Sequence, residues 1–202
     1  TQAQPLDSLL RVWQEETNID TVRIDAVHKV AWKLAFSNPD SSITLATLEF
    51  NFAHKKNIND RAIYALNTLG VASTIKGEYI HALDYYENAI NRAKSDLKNK
   101  DERIVISAKK GLAQTYINRG ILYKNQGDYV NALNNQLSSL AIWEELNAQD
   151  KIALSYVNIG IIYKYLEDYE KALDYQMKSV AGLSRSSLTL RSAPKRQGSR
   201  QL

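Results

Sequence analysis

Three histidines, His28, His54 and His81, are the side chains of this chain best suited to hold a metal or relay a proton near neutral pH. They fall in separate stretches with no metal-type pairing near any of them, so each reads as an ordinary helix-surface or interface residue. The tightest acidic group, Glu167, Asp168 and Glu170, stands beside a helix start, where the helix dipole favours carboxylates for structural reasons alone. Cysteine is absent, which removes disulfides, thiolate metal sites and a cysteine nucleophile together. No glycine-rich phosphate loop, nucleophile elbow or paired-carboxylate arrangement occurs, so the sequence offers no catalytic residue, no metal set and no cofactor site.

What the sequence does offer is repetition. Tyr116 to Leu140 reads YINRGILYKNQGDYVNALNNQLSSL, and Tyr156 to Val180 reads YVNIGIIYKYLEDYEKALDYQMKSV. A looser copy spans Leu66 to Ile90. In each, a glycine (Gly70, Gly120, Gly160) precedes a tyrosine by nine residues (Tyr79, Tyr129, Tyr169), and an Ala-Leu pair follows three residues later. Self-similarity of this kind marks a solenoid, whose units bury their apolar faces only by stacking. Within a copy, Tyr156, Ile159, Gly160 and Tyr163 share one helical face, and Tyr169, Ala172, Leu173 and Gln176 share another, so each unit is expected to be an antiparallel helix pair. Gly77 and Gly127 occupy the turn slot that wants a left-handed residue; Glu167 holds that slot in the last copy, which predicts a strained or differently capped turn.

These residues resemble the tetratricopeptide repeat in a longer form of about 40 residues, with Gly160, Tyr163, Tyr169 and Ala172 on its signature positions. A degenerate first copy puts Ala31 in place of the glycine and Asn38-Pro39-Asp40-Ser41 at the turn. The resemblance implies an all-α, right-handed superhelical solenoid that binds proteins or peptides. Leu34 to Ala46, with the segment before it, is similar to the opening of sensor regions that precede kinases, cyclases or DNA-binding domains in Bacteroidetes-type bacteria.

In chain order, residues 1–20 read as a capping helix with Leu6, Leu9, Leu10 and Trp13 on one stripe. Four repeats are expected at about 21–56, 60–97, 102–147 and 150–183. The second helix of the first repeat is expected to bury Ile43, Leu45, Leu48 and Phe52. Successive signature positions lie 39, 50 and 40 residues apart. The ten extra residues after Gly70 predict lengthened helices at that joint rather than a long loop, with Lys94 to Arg103 as a solvated tip.

Residues 184–202 hold five basic residues and no acid, and read as a disordered tail. Removing those five from the 26 basic residues leaves 21 against 22 acidic ones, so the body is close to neutral despite a formal charge of +4 and offers no nucleic-acid face. No run is apolar enough to span a bilayer. Thr1-Gln2-Ala3-Gln4 suits a start left by signal-peptide removal, which favours the periplasm, although a cloning boundary would give the same start. The last repeat lacks a polar outer face, which suits a piece of a longer sensor protein or self-association through that end.

The resemblance also implies a groove. In such arrays the first helix of each pair lines the concave side, through residues two before the glycine and one, four and five after it. Here these are Thr68, Val71, Thr74 and Ile75; Asn118, Ile121, Lys124 and Asn125; and Asn158, Ile161, Lys164 and Tyr165. Such amides can both donate to and accept from a peptide backbone, or can serve helix packing instead. Lys124 and Lys164 would favour acidic or C-terminal groups. The lysine three residues before the glycine that binds chaperone tails in some relatives is replaced by Asn67, Ile117 and Val157, which disfavours that class of ligand. The expected function is a non-catalytic peptide-binding module of a signalling protein. The alternatives are a scaffold whose groove is filled by its own neighbours, or an enzyme with a site that spacing does not reveal.

Overall fold

The computed structural model describes residues 6–192, with side chains through residue 182. Nine helices and no strand occur among the described residues: α1 (Leu6–Gln14), α2 (Asp20–Leu34), α3 (Pro39–Lys55), α4 (Asn59–Lys76), α5 (Tyr79–Asp96), α6 (Glu102–Asn125), α7 (Tyr129–Glu145), α8 (Gln149–Tyr165) and α9 (Tyr169–Ser192). From α2 onward they pair in sequence as hairpins stacked side by side.

One turn chemistry recurs. After α3, α4, α6, α7 and α8 the chain passes through a left-handed residue (Asn57, Gly77, Gly127, Asn147 and Glu167, φ between 53° and 79°). The next N–H then bonds five residues back, as in Glu78 N to Ser73 O at 2.9 Å and Asp168 N to Tyr163 O at 3.0 Å. This is the Schellman closure, which satisfies carbonyls the helix end would otherwise strand. Glycine and asparagine adopt the left-handed region cheaply, whereas Glu167 holds it at φ 61° with a Cβ in the way. Helix starts are capped in kind: Asn38, Asp101, Asp128 and Asp168 accept backbone N–H groups at 2.9 to 3.1 Å. Side-chain bonds from Arg103, Asn131 and Lys171, and then these backbone bonds, hold the carboxyls of Asp101, Asp128 and Asp168 below their ordinary range.

The long joint is built from helix, since α6 has 24 residues against 18 in α4 and 17 in α8. Two sequence expectations are corrected. The buried stripe of α3 is Ser42, Ala46, Glu49 and Ala53, while Leu48 is 45% exposed and Ile43, Leu45 and Phe52 only flank the contact. Small residues win that stripe because α3 is clasped between α2 and α4; the Ser42 hydroxyl donates to Ala31 O at 2.7 Å. The disorder expected from residue 184 meets a helix that runs on to Ser192, and residues 193–202 lie outside the described residues.

At the other end α1 packs on α2 through Leu9, Ala26 and Val30. The Arg23 guanidinium lies 5.3 Å from the Trp13 ring and 5.2 Å from Phe52, tying α1 to α3 as well. α4 contacts both α2 and α6, whereas the second helices of neighbouring pairs make no comparable contact. The first helices therefore form the inner, concave side. Among the described residues no helix is long and apolar enough to cross a membrane.

Candidate functional site

The concave side carries a hollow of about 310 Å³ whose walls come from four successive first helices. Trp32 of α2, Phe36 in the turn after it, and Val71, Thr74 and Ile75 of α4 form one side. Asn118, Ile121 and Asn125 of α6, with Leu154 and Asn158 of α8, form the other. Five of its apolar members are exposed by a third or more (Trp32 37%, Phe36 60%, Ile75 51%, Ile121 38% and Leu154 46%), while Ile117 of α6 and Tyr86 of α5 form its buried floor. A second hollow of about 230 Å³, lined by His28, Trp32, Tyr64, Asn67 and Gln114, shares Trp32 and Gln114 with the first.

The groove positions read from the sequence divide in the structure. Val71, Thr74, Ile75, Asn118, Ile121, Asn125 and Asn158 line the main hollow. Lys124 and Ile161 lie next to it, around Gly120, Gln136 and Asn158. Thr68 does not line it: its side chain is fully buried and its hydroxyl bonds the Tyr64 carbonyl at 3.1 Å. Lys164 and Tyr165 lie outside both hollows; Tyr165 stacks on Tyr129 with ring centres 5.3 Å apart.

The two asparagines differ. Asn118 is 6% exposed and spent on structure. The Ile63 carbonyl accepts Asn67 Nδ2 at 3.1 Å, and the same amide reaches Thr115 Oγ1 at 2.8 Å. A backbone carbonyl cannot donate, so Asn67 must turn its Oδ1 outward, where it takes Asn118 Nδ2 at 3.1 Å. Asn118 Oδ1 in turn takes Gln114 Nε2 at 3.1 Å, which leaves Gln114 Oε1 at the surface. A shorter chain runs beside it: Gln136 Nε2 donates to Ile117 O at 3.2 Å, and Gln136 Oε1 accepts Asn158 Nδ2 at 3.4 Å, leaving Asn158 Oδ1 outward. Both chains end on the concave face in an acceptor.

Several lining residues were missed by the sequence reading. Trp32 and Phe36 follow Ala31 by the same one and five residues that place Ile121 and Asn125 after Gly120, so the offset could have found them. Tyr64, Gln114 and Leu154 share another offset, six residues before each glycine. His28 is an interface residue between α2 and α3: its Nδ1 lies 3.0 and 3.2 Å from the two oxygens of Glu49, whose side chain is fully buried. Burial pushes the Glu49 carboxyl above its ordinary range, opposed by His28 and Arg61. Burial likewise raises the Tyr86 phenol, which shares a 3.4 Å bond with Thr74. Among the described residues no cluster of His, Asp or Glu is placed to hold a metal ion.

Comparison with known proteins gives a match over part of the chain. A model described as tetratricopeptide repeat matches residues 111–185. No curated protein matches the chain. Among solved structures, that of BtubC (BKLC) from P. vanneervenii is similar, at 16% identity and a TM-score of 0.66, over 97% of this chain and 76% of that one. At that identity the likeness speaks for the fold alone. Helix pairs of one design run from α2 to α9, and the matched segment, which spans most of the last two pairs, is similar to the tetratricopeptide repeat.

Proposed function

We propose that this chain is a non-catalytic module that binds an extended segment of a protein partner along its concave side. Tetratricopeptide repeats, which residues 111–185 resemble, serve in general as protein-interaction scaffolds, and solenoids present extended concave surfaces for that purpose. The observation that carries the reading is the row Trp32, Val71, Ile121 and Ile161: each follows its signature position by one residue, on four successive first helices. Three of the four are exposed by 36% or more although each is large and apolar. An apolar row kept out of the core at a constant offset suits the alternate side chains of a strand-like ligand. Asn158 supports the reading with an outward acceptor for a ligand N–H. Lys124 and Lys164, neither ion-paired among the described residues, would receive acidic groups at the far end. The similarity of residues 34–46 to bacterial sensor regions makes a signalling protein the context we favour.

The test is selection from a random peptide library, followed by titration of the best peptide into wild type and Ile121→Glu. Ile121 lines the hollow on an exposed face, so the variant should keep its helical spectrum and lose binding by tenfold or more. Equal affinity in the folded variant would place the binding surface elsewhere.

A further inference from the structure

Three second helices present the same row of side chains. Nine, thirteen and sixteen residues after the signature glycine stand Tyr79, Leu83 and Tyr86 in α5, Tyr129, Leu133 and Gln136 in α7, and Tyr169, Leu173 and Gln176 in α9. In α5 and α7 the next first helix lies along that row, α6 on the one and α8 on the other. Tyr86 and Gln136 are each 1% exposed as a result. The seat of α8 shows what the row receives. Tyr165 stacks on Tyr129 with ring planes 11° apart, Gln136 Oε1 accepts Asn158 Nδ2, and Ile152 and Ile159 join the cluster that holds Leu140 and Trp143 of α7.

α9 has no such neighbour among the described residues, and its row stands in water. Tyr169 is 65% exposed, Leu173 59% and Met177, one turn further, 63%, while Gln176 is exposed where its counterpart Gln136 is buried. A single apolar side chain on a surface needs no explanation, but three large ones at i, i+4 and i+8 of one helix make a continuous stripe. The same positions of α5 and α7 are interfaces already built in this molecule, so the stripe continues an interface whose occupant is known in kind: a helix with an apolar face.

We propose that α9 is a docking site for an amphipathic helix of a partner protein, seated on Tyr169, Leu173, Gln176 and Met177 as α8 is seated on the equivalent row of α7. The side chains of α8 define the chemistry of that helix. It carries two branched aliphatic residues seven apart, as Ile152 and Ile159 are, an amide just before the second to donate to Gln176 Oε1, and an aromatic six residues after it to stack on Tyr169. Recognition is then of the helix-in-groove kind, distinct from the extended segment of the concave side. A helix seated there would add one more member to the inner row of first helices and so lengthen the concave side.

The experiment titrates the full chain with a synthetic peptide of the α8 sequence, residues 149–165, because that segment is the one seated on the equivalent row. Isolated helices of that length are marginal in water, so a lactam joins positions 157 and 161, both exposed in α8 and turned away from α7. Met177 is the chain's single methionine, and its methyl NMR signal reports this face alone. The peptide should shift that signal saturably while the Ile121 signal of the groove stays still, and a scrambled peptide with the same lactam should bind at least tenfold more weakly. Leu173→Glu, on an exposed face, should keep the helical spectrum and weaken binding tenfold or more. An unmoved Met177 signal, equal affinity for the scrambled peptide, or undiminished binding by the folded Leu173→Glu variant would overturn the proposal. So would a Met177 signal that changes on dilution of the chain alone while sedimentation shows a dimer, because a second copy would then hold the face.

Discussion

The joint between α4 and α6 and the place where α6 meets α8 are built on the same repeat positions, yet only the first is closely packed. The difference begins three residues before the signature glycine. Asn67 stands there in α4 and Ile117 in α6. Asn67 bonds Thr115 and Asn118 of the next repeat and closes a buried amide chain, with α6 brought in over Gly111, where a Cβ would come within 2.8 Å of Ile63 Cγ2. Ile117 has no amide to give. The counterpart of Thr115, Ser155, is therefore fully buried with no hydrogen-bond partner among the described residues, and the counterpart of Asn118, Asn158, reaches to Gln136 at a longer 3.4 Å. One side chain thus decides whether the equivalent asparagine of the next repeat is a structural group or a surface group. The α2 position carries His28 and turns to Glu49 instead. Repeat position alone does not assign a role; the partner in the neighbouring unit does.

The largest effect should come from removing the residue that makes the difference. Asn67→Leu removes three buried bonds, to Ile63 O, Thr115 Oγ1 and Asn118 Nδ2. It leaves the Asn118 Nδ2 without its acceptor, although the Thr115 hydroxyl still donates to Gly111 O, and should cost about 3 kcal/mol, read from the shift in urea midpoint at constant slope. A loss below about 1 kcal/mol would break the comparison. Next, Asn118→Ala should cost about 2 kcal/mol, because two buried bonds go with it, whereas Asn158→Ala should cost no more than about 0.5 kcal/mol and instead weaken peptide binding. Equal losses in the two variants would mean the two places are alike after all.

Smaller again, and opposite in sign, Ser155→Ala removes a buried hydroxyl without a partner and should stabilise by about 1 kcal/mol, while Thr115→Val should destabilise by a similar amount. The α2 position adds a dependence on pH. Burial raises the Glu49 carboxyl in the folded chain above its ordinary value of 4.5, so the folded state binds that proton more tightly than the unfolded chain does. Its contribution is therefore complete below that value and is lost as pH rises through the folded value. The melting temperature of wild type relative to Glu49→Gln should fall over that window; a constant difference would contradict the assignment.

Much of this was legible because it is local. Apolar spacing of three and four residues, the Gly-to-Tyr offset and the turn glycines announce paired helices, and even the Glu167 turn is visible as a misfit residue at a known slot. Most residues lining the hollow share a small set of offsets from the signature position, and Trp32 and Phe36 stand at two of those same offsets from Ala31, the residue in the glycine's place in the first copy. What did not show was anything settled between repeats. Asn118 and Asn158 look alike in their own helices, and their fates depend on residues 51 and 22 positions away, Asn67 and Gln136. Glu49 shows the same limit: a charge on the buried stripe of α3 is unreadable until His28, 21 residues earlier, is seen against it.

The central claim is that a partner segment lies along the inner helices. Isoleucine-methyl NMR of the protein titrated with a selected peptide tests it directly, because exposed isoleucines occur in inner and outer helices alike. Ile75, Ile121 and Ile161 belong to the first helices, and Ile80, which is 78% exposed, to the second helix α5. The account predicts that the first three signals shift in proportion to bound peptide while Ile80 stays still. Shifts confined to Ile80, with Ile75, Ile121 and Ile161 unmoved, would contradict it.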